Sequence, residues 1–247
     1  MTMNDKEVFL RTVRHEKPER ILCKIPGFEL CYNGCHHEDE HGIAHDRPTG
    51  ESWKDIWGVG WHKDLEGVMG FPREHPLADL ARLDSFAFPD AMDPACYGQI
   101  FAMKEEYTRR GLSETAILCG SHRDTLWERA YMLVGMEDMM VYFYTEPELA
   151  RRLLARIMDF QLQMAGRYIR AGIQMANLSD DMGAQSGLLL GERIFMLPKP
   201  MIGHQVDLLC THILPHKADD PAHFRVIGID TGNHRHADVD PSAVFTQ

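Results

Sequence analysis

The sequence predicts an α/β fold built on a parallel sheet, in a single domain that spans residues 1–247. Two observations lead to this fold class. Short apolar segments bounded by turn residues have the length of buried strands, and segments of helical periodicity alternate with them. Such alternation is the pattern of repeated βα units. The strand-like segments are residues 21–28, 115–120, 173–181 and 223–230.

The N-terminal segment predicts a helix that leads into the first strand. Asn4 and Glu7 have the spacing of a capping box, an apolar helical face follows, and Pro18 ends the helix. The β-rich run 21–28 comes next and is closed by proline and glycine.

Residues 31–82 lack sustained periodicity and contain three of the four tryptophans, so we expect a long segment that is ordered but has irregular secondary structure. Beyond it, Gly111 ends a helix in the second half of 90–111, and Gly135 separates two short helices after the second strand. Methionines along these two helices are predicted to fill core: Met132, Met136, Met139 and Met140.

The clearest predicted element is a long helix that begins at Thr145 and ends at Gly172. Thr145 and Glu148 have capping-box spacing, and Pro147 lies in the first turn. Its apolar positions recur at helical spacing, at Leu149, Leu153, Ile157, Met164 and Tyr168. Another helix is predicted to start within 191–197.

Composition excludes several classes of partner. The net charge of −11 excludes nucleic acid, which requires a concentrated basic surface. No apolar run approaches the roughly 20 residues of a membrane span. The N-terminus has no signal-peptide pattern, so we expect a cytoplasmic protein with no membrane partner. Six cysteines in a chain of this size predict reduced thiols or metal ligands, not a disulfide framework.

Two adjacent acids, Asp180 and Asp181, end the third predicted strand and are the candidate catalytic residues. Ligands of parallel α/β folds bind at the carboxyl ends of strands, where one carboxylate could take a proton or hold a substrate group. Gln185 could donate a hydrogen bond in the same cleft. The alternative left open is that one aspartate caps the next helix.

Three further residues are candidate substrate contacts: Trp57, Glu128 and Arg129. For the adjacent Glu128 and Arg129, an ion pair on a helix flank is the favoured interpretation. Trp57 lies beside glycines, where aromatic side chains more often pack than bind.

A cysteine- and histidine-rich stretch is the candidate metal site, with Cys31, Cys35, His36 and His37 as ligands. Thiolates and imidazoles are what tetrahedral zinc uses. Because this C-x3-C-H-H spacing is not a standard ligand spacing, a solvated loop is the favoured interpretation.

Five segments occur here in the order seen in the uroporphyrinogen decarboxylase superfamily, which the chain resembles over residues 5–200. They are "FLRTVRHEKPERI", "DIWGVGW", "EHPLADLARLDSFAFPD", "LWERAYMLVGMEDMM" and "GIQMANLSDDMGAQSGLLL". The resemblance implies a (β/α)8 TIM barrel with its active site at the carboxyl ends of the strands. Family members include the porphyrin-pathway decarboxylase and methyltransferases that work with corrinoid proteins or thiols.

One departure from the family pattern argues against decarboxylation, and another argues against the usual zinc-dependent, thiol-activating site. The decarboxylase carries an arginine-containing loop after its first strand, whereas residues 27–40 here contain several acids and no arginine, the best carboxylate clamp. The zinc-dependent methyltransferases carry a His-x-Cys pair before Gly-Asn. If Gly232 and Asn233 match that Gly-Asn, Ile229 and Thr231 occupy the ligand positions, and neither binds zinc.

The chain is shorter than family members, and about four βα units are present where a closed barrel needs eight. We therefore expect an incomplete barrel that is C-terminally truncated, with a divergent tail at 201–247. Open sheet edges would favour a homo-oligomer that covers them.

The resulting functional expectation is methyl transfer from a small methylated substrate to a corrinoid or thiol acceptor. Uroporphyrinogen decarboxylation and an inactive truncated half-barrel are the alternatives. The resemblance implies zinc, or a corrinoid carried on a partner protein, as candidate cofactors, and the residues themselves establish neither.

Overall fold

The structure is a computed structural model of the chain. It describes residues 2–24, 26–27, 31–32, 47–68, 70–96, 98–122, 126–178, 180, 183–184, 187–188, 211–217 and 220–228.

The described residues form α-helices, 3-10 helices and short strands. The α-helices are α1 Asp5–Val13, α2 Gly98–Arg109, α3 Trp127–Val134, α4 Met136–Thr145 and α5 Pro147–Arg170, with 3-10 helices at Leu80–Ser85 and Pro94–Cys96. The strands are β1 Cys31–Tyr32, β2 Ser52–Lys54, β3 Gly60–His62, β4 Phe71–Glu74, β5 Cys119–His122, β6 Met175–Leu178, β7 Gly183–Ala184, β8 Gly187–Leu188, β9 Thr211–Lys217 and β10 Asp220–Gly228.

The largest sheet has the strand order β1-β5-β6-β9-β10. Strand β5 pairs in parallel with both β1 and β6, so these three strands lie side by side in chain order. Their carboxyl ends therefore meet at one edge of the sheet. Strand β9 pairs antiparallel with β6, and β10 pairs antiparallel with β9.

Two of the four predicted strands differ from the structure. Residues 21–24 and 26–27 of the first predicted strand are not part of a strand, and strand β1 begins at Cys31. Proline cannot donate to a sheet ladder, and Gly27 turns the chain with φ 72° while the Pro26 carbonyl accepts the Ile117 N–H at 2.7 Å.

The last predicted strand is present as β10, but in an antiparallel pair and not in a parallel one. Only two residues separate β9 from β10. A parallel pair needs a crossover of a dozen or more residues, so a connection this short permits only a hairpin.

The segment 31–82 contains a second, smaller sheet that the sequence did not predict. Strands β2, β3 and β4 are antiparallel, and Trp53 lies opposite Trp61. The two indole rings stack with centroids 6.5 Å apart and bury one face of this sheet. Strands of three residues are too short for alternation to be recognised against irregular sequence.

Helix positions follow the predicted signals closely. The Asn4 side chain accepts the Glu7 N–H at 2.9 Å, Gly135 separates α3 from α4, and Pro147 is the first residue of α5. The predicted capping box at Thr145 is wrong. Thr145 is the last residue of α4 and donates to the Val141 carbonyl at 3.2 Å, and α5 has no side-chain cap.

The core lies between α5, α3 and the small sheet. Leu153, Ile157, Met164 and Tyr168 are buried as predicted, and Leu149 is partly buried. Met132 and Met139 are buried and Met140 partly buried, but Met136 is 39% exposed and does not fill core. Across the described ranges, no helix is long and apolar enough to cross a membrane.

Candidate functional site

The carboxyl edge of the parallel strands brings several chemistry-bearing positions together. Strand β5 ends at His122 and β6 ends at Leu178, and these two residues are registered neighbours. Ser121 is registered against Asn177 one residue earlier. Asp180 follows two residues after the end of β6, at the same edge. This is the edge at which the sequence analysis places the candidate site.

The Asp180 carboxylate contacts the first turn of α3. Its Oδ2 accepts the backbone N–H groups of Leu126 at 3.0 Å and Trp127 at 2.6 Å, and its Oδ1 accepts that of Glu128 at 2.7 Å. The first N–H groups of a helix have no partner within the helix, and the helix dipole favours negative charge there. Asp180 therefore holds the start of α3.

This contact joins the segments that follow two neighbouring parallel strands, because α3 follows β5 and Asp180 follows β6. The sequence analysis left open that one aspartate caps a helix, and the structure shows Asp180 in that position. The capped helix differs from the expected one: it is α3, which precedes Asp180 in the chain by about fifty residues, and not the next helix.

Several predicted site residues lie outside the described residues: Asp181, Gln185, Cys35, His36 and His37. Cys31 lies in β1 at the sheet edge, where its backbone alone is described. Within the part of the chain that the structure describes, no group of three His, Cys, Asp or Glu residues is placed to hold a metal ion.

Arg129 forms a buried ion pair with Asp55. The Nη1–Oδ2 distance is 2.9 Å, and the two side chains are 1% and 0% exposed. Asp55 also accepts the N–H groups of Trp57 and Val59 and the Trp61 Nε1–H, at 2.9, 3.0 and 3.1 Å. Each carboxylate oxygen is thus bonded, which is what a buried charge requires.

The structure supports packing, not substrate contact, for Arg129 and Trp57. The Arg129 guanidinium lies 4.9 Å from the centroid of the Trp57 ring, which is 2% exposed and meets Phe160 edge-on at 4.6 Å. The ion pair favoured from the sequence was with the adjacent Glu128, and the ion pair described in the structure is with Asp55. The Glu128 N–H donates to Asp180, so this residue contributes to the site edge through its backbone.

A polar cluster lies at the opposite, amino end of the parallel strands. Lys6 Nζ donates to the Tyr107 hydroxyl and to Gln174 Oε1, each at 3.2 Å, and to the Ser113 carbonyl. Burial lowers the pKa of Lys6, with nearby Glu114 opposing, and burial and Glu114 both raise the pKa of Tyr107.

Comparison with family models, with curated proteins and with solved structures gives no match. Function is therefore inferred from the chain's own residues. The sequence analysis missed Asp55 and Lys6. An acid placed between tryptophans in "WKDIWGVGW" was the available signal for Asp55, whereas Lys6 carries no signal that separates it from an ordinary solvated lysine.

Proposed function

We propose that this chain is an enzyme of the uroporphyrinogen decarboxylase type, which moves a methyl group from a small methylated substrate to a corrinoid or thiol acceptor. The observation that carries the proposal is the position of Asp180. It follows β6 and holds the start of α3, which follows β5, so two neighbouring loops form one rim at the carboxyl edge. Such rims are where parallel α/β folds bind ligands.

Asp180 and Asp181 have separate roles in this proposal. Asp180 is a positioning residue, because its two oxygens already accept three backbone N–H groups. Asp181 is the residue to which we assign substrate contact and proton handling, and we assign Gln185 the role of a hydrogen-bond donor to the substrate. No described donor set fits zinc, so no step is assigned to a metal.

Arginine placement favours methyl transfer over decarboxylation of a substrate with many carboxylates. Residues 27–40, which begin at the end of the first predicted strand and include β1, contain no arginine. Arg129 lies in the first turn of α3, near the same edge. Its side chain is 1% exposed and is bonded to Asp55. Its guanidinium is committed to an internal carboxylate and does not clamp one on a substrate.

Two assays on the purified chain test the proposal. One supplies a free corrinoid or a thiol with candidate methyl donors and follows formation of the methylated acceptor. The other supplies uroporphyrinogen and follows released CO2. We expect product in the first assay alone. Product in the second assay alone would replace methyl transfer with decarboxylation.

An inactive half-barrel is the second candidate, and one observation favours it. Among the described strands, the parallel order stops after β6, because β9 and β10 add in the antiparallel sense. A closed (β/α)8 barrel uses parallel strands throughout. Size-exclusion chromatography combined with thermal unfolding separates the candidates, since a compact monomer with one cooperative transition is hard to reconcile with an open half-barrel.

A further inference from the structure

The outer face of the small sheet carries a serine and a histidine in direct contact. Ser52 in β2 and His62 in β3 are registered partners, and the Ser52 Oγ lies 2.7 Å from the His62 Nδ1. Their neighbours Trp53 and Trp61 are buried, because side chains alternate between the faces of a sheet. The Ser52–His62 pair is therefore on the solvent side of a well-packed element.

An aspartate lies at the other nitrogen of the same ring. His62 Nε2 is 3.8 Å from Asp64 Oδ1, and the second oxygen of Asp64 accepts the Arg73 guanidinium at 2.6 Å. A carboxylate beside Nε2 favours the imidazole tautomer that carries its proton on that nitrogen. The Nδ1 lone pair then faces the Ser52 hydroxyl and can accept its proton.

We propose that Ser52, His62 and Asp64 form a second site, which takes acyl groups from small esters. Ser52 is the nucleophile, His62 is the general base and Asp64 is a positioning residue that orients the imidazole. The order of contacts, hydroxyl to imidazole to carboxylate, is the one that activates serine in hydrolases of unrelated fold. His62 and Asp64 are each 34% exposed, so a small ester can reach the site from solvent.

The reaction has two balanced steps. The Ser52 Oγ attacks the ester carbonyl while its proton passes to His62 Nδ1, and the C–O bond to the alcohol breaks as that alcohol takes the proton from His62. Water then attacks the acyl-serine ester, giving one proton to His62. Release of the carboxylic acid returns that proton to the Ser52 oxygen. No oxidant, metal or second substrate is needed.

The support beneath the site favours a fixed geometry. Trp53 and Trp61 stack under the two strands, and Asp55 accepts the Trp61 indole N–H at 3.1 Å. Sites built on strands hold their side chains more accurately than sites on loops. Because this site lies in the small sheet, the inference stands independently of methyl transfer at the carboxyl edge of the large one.

A fluorophosphonate probe tests the nucleophile. The serine oxygen forms a bond to phosphorus and fluoride leaves, so peptide mapping by mass spectrometry identifies the labelled residue. We expect label on Ser52. We expect Ser52→Ala to abolish it, and His62→Gln to slow labelling by about 100-fold, the lower end of general-base catalysis. Ser85→Ala is the matched control, because Ser85 is exposed and donates to the Arg82 carbonyl; labelling should not change.

A second measurement tests the role of Asp64. Release of p-nitrophenol from p-nitrophenyl acetate should slow in Asp64→Asn and recover in Asp64→Glu, which restores a carboxylate near Nε2. Circular dichroism melts establish that each variant is folded. Absence of label on Ser52 in the folded wild type, or labelling that His62→Gln leaves unchanged, would overturn the proposal.

Discussion

The Asp180 carboxylate accepts the backbone N–H of Trp127 at 2.6 Å, across 53 positions of sequence. The contact links Asp180, which follows β6, to the first turn of α3, which follows β5. It also satisfies N–H groups that the first turn of α3 cannot bond internally. Asp180 thus has a structural role at the edge where we propose that the reaction occurs. The catalytic role is assigned to Asp181, the next residue in the sequence.

Removing the Asp180 carboxylate should destabilise the protein. Asp180→Ala takes away the acceptor for three N–H groups, and we expect a loss of about 2 kcal/mol in the free energy of unfolding, the upper range for a helix cap. Urea denaturation measures it. Asp79→Ala is the matched control, because Asp79 caps a 3-10 helix through one N–H, that of Ala81. A loss at Asp180 no larger than that at Asp79 would contradict the three-bond contact.

The buried pair of Asp55 and Arg129 should show strong coupling. Either Asp55→Asn or Arg129→Met removes the ion-pair partner of a buried charge, and we expect each to cost about 3–5 kcal/mol. The double variant should cost less than the sum of the single variants, because neither charge is then left alone. A double-mutant cycle by denaturant unfolding measures this coupling, and additive losses would argue against the pair.

Much of the helical fold follows from local signals, and most of the site does not. The Asn4 cap and the break at Gly135 depend on residues that are close in sequence, so local sequence patterns are enough to predict them. Arg129 has a buried partner, Asp55, 74 positions away, and no local pattern in the sequence points to that contact. A capping role for one of the two aspartates was an alternative from the sequence. The helix that Asp180 caps is α3, which precedes it in the chain, and not the next helix.

The first strand shows why sheet pairing is hard to predict. Residues 21–28 have the composition of a strand, yet proline removes a donor and Gly27 adopts a positive φ, so the chain turns there. The partner of Cys31 in β1 is Cys119, which no local pattern reveals.

Gly120 should not tolerate a side chain. A Cβ there would lie 2.7 Å from the Tyr168 ring, so Gly120→Ala should cost about 1–3 kcal/mol through overpacking. Gly166→Ala, in the middle of α5, meets nothing closer than the flexible Arg170 tip at 3.4 Å and should stabilise by about 0.5–1 kcal/mol. Thermal unfolding of both variants measures the opposite signs. A neutral Gly120→Ala would contradict the contact with Tyr168.

Stability should depend on pH through Lys6. Because its folded pKa is lowered from 10.5, the unfolded chain binds more protons between the folded pKa and 10.5, and stability therefore rises with pH in that window. Lys6→Met should remove this rise. The raised pKa of Tyr107 acts in the other direction, since above pH 10.0 the folded chain keeps a proton that the unfolded chain loses, and stability falls.

Urea titrations at intervals from neutral pH to pH 10.5 cover the rise assigned to Lys6 and, above pH 10.0, the onset of the fall assigned to Tyr107. Tyr107→Phe is the control, because it should retain the rise assigned to Lys6 and lose the alkaline fall. A Lys6→Met variant whose stability rises with pH as steeply as that of the wild type would exclude Lys6 as the source.

The most direct test of the proposed function measures methyl transfer and unfolding together in the Asp181→Ala variant. We predict that the wild type forms methylated acceptor, that Asp181→Ala lowers kcat/KM by about 100-fold or more, as loss of a proton-handling group does, and that its free energy of unfolding changes by less than about 1 kcal/mol. A folded wild type that methylates no acceptor, or a variant that loses stability in proportion to activity, would contradict the assignment.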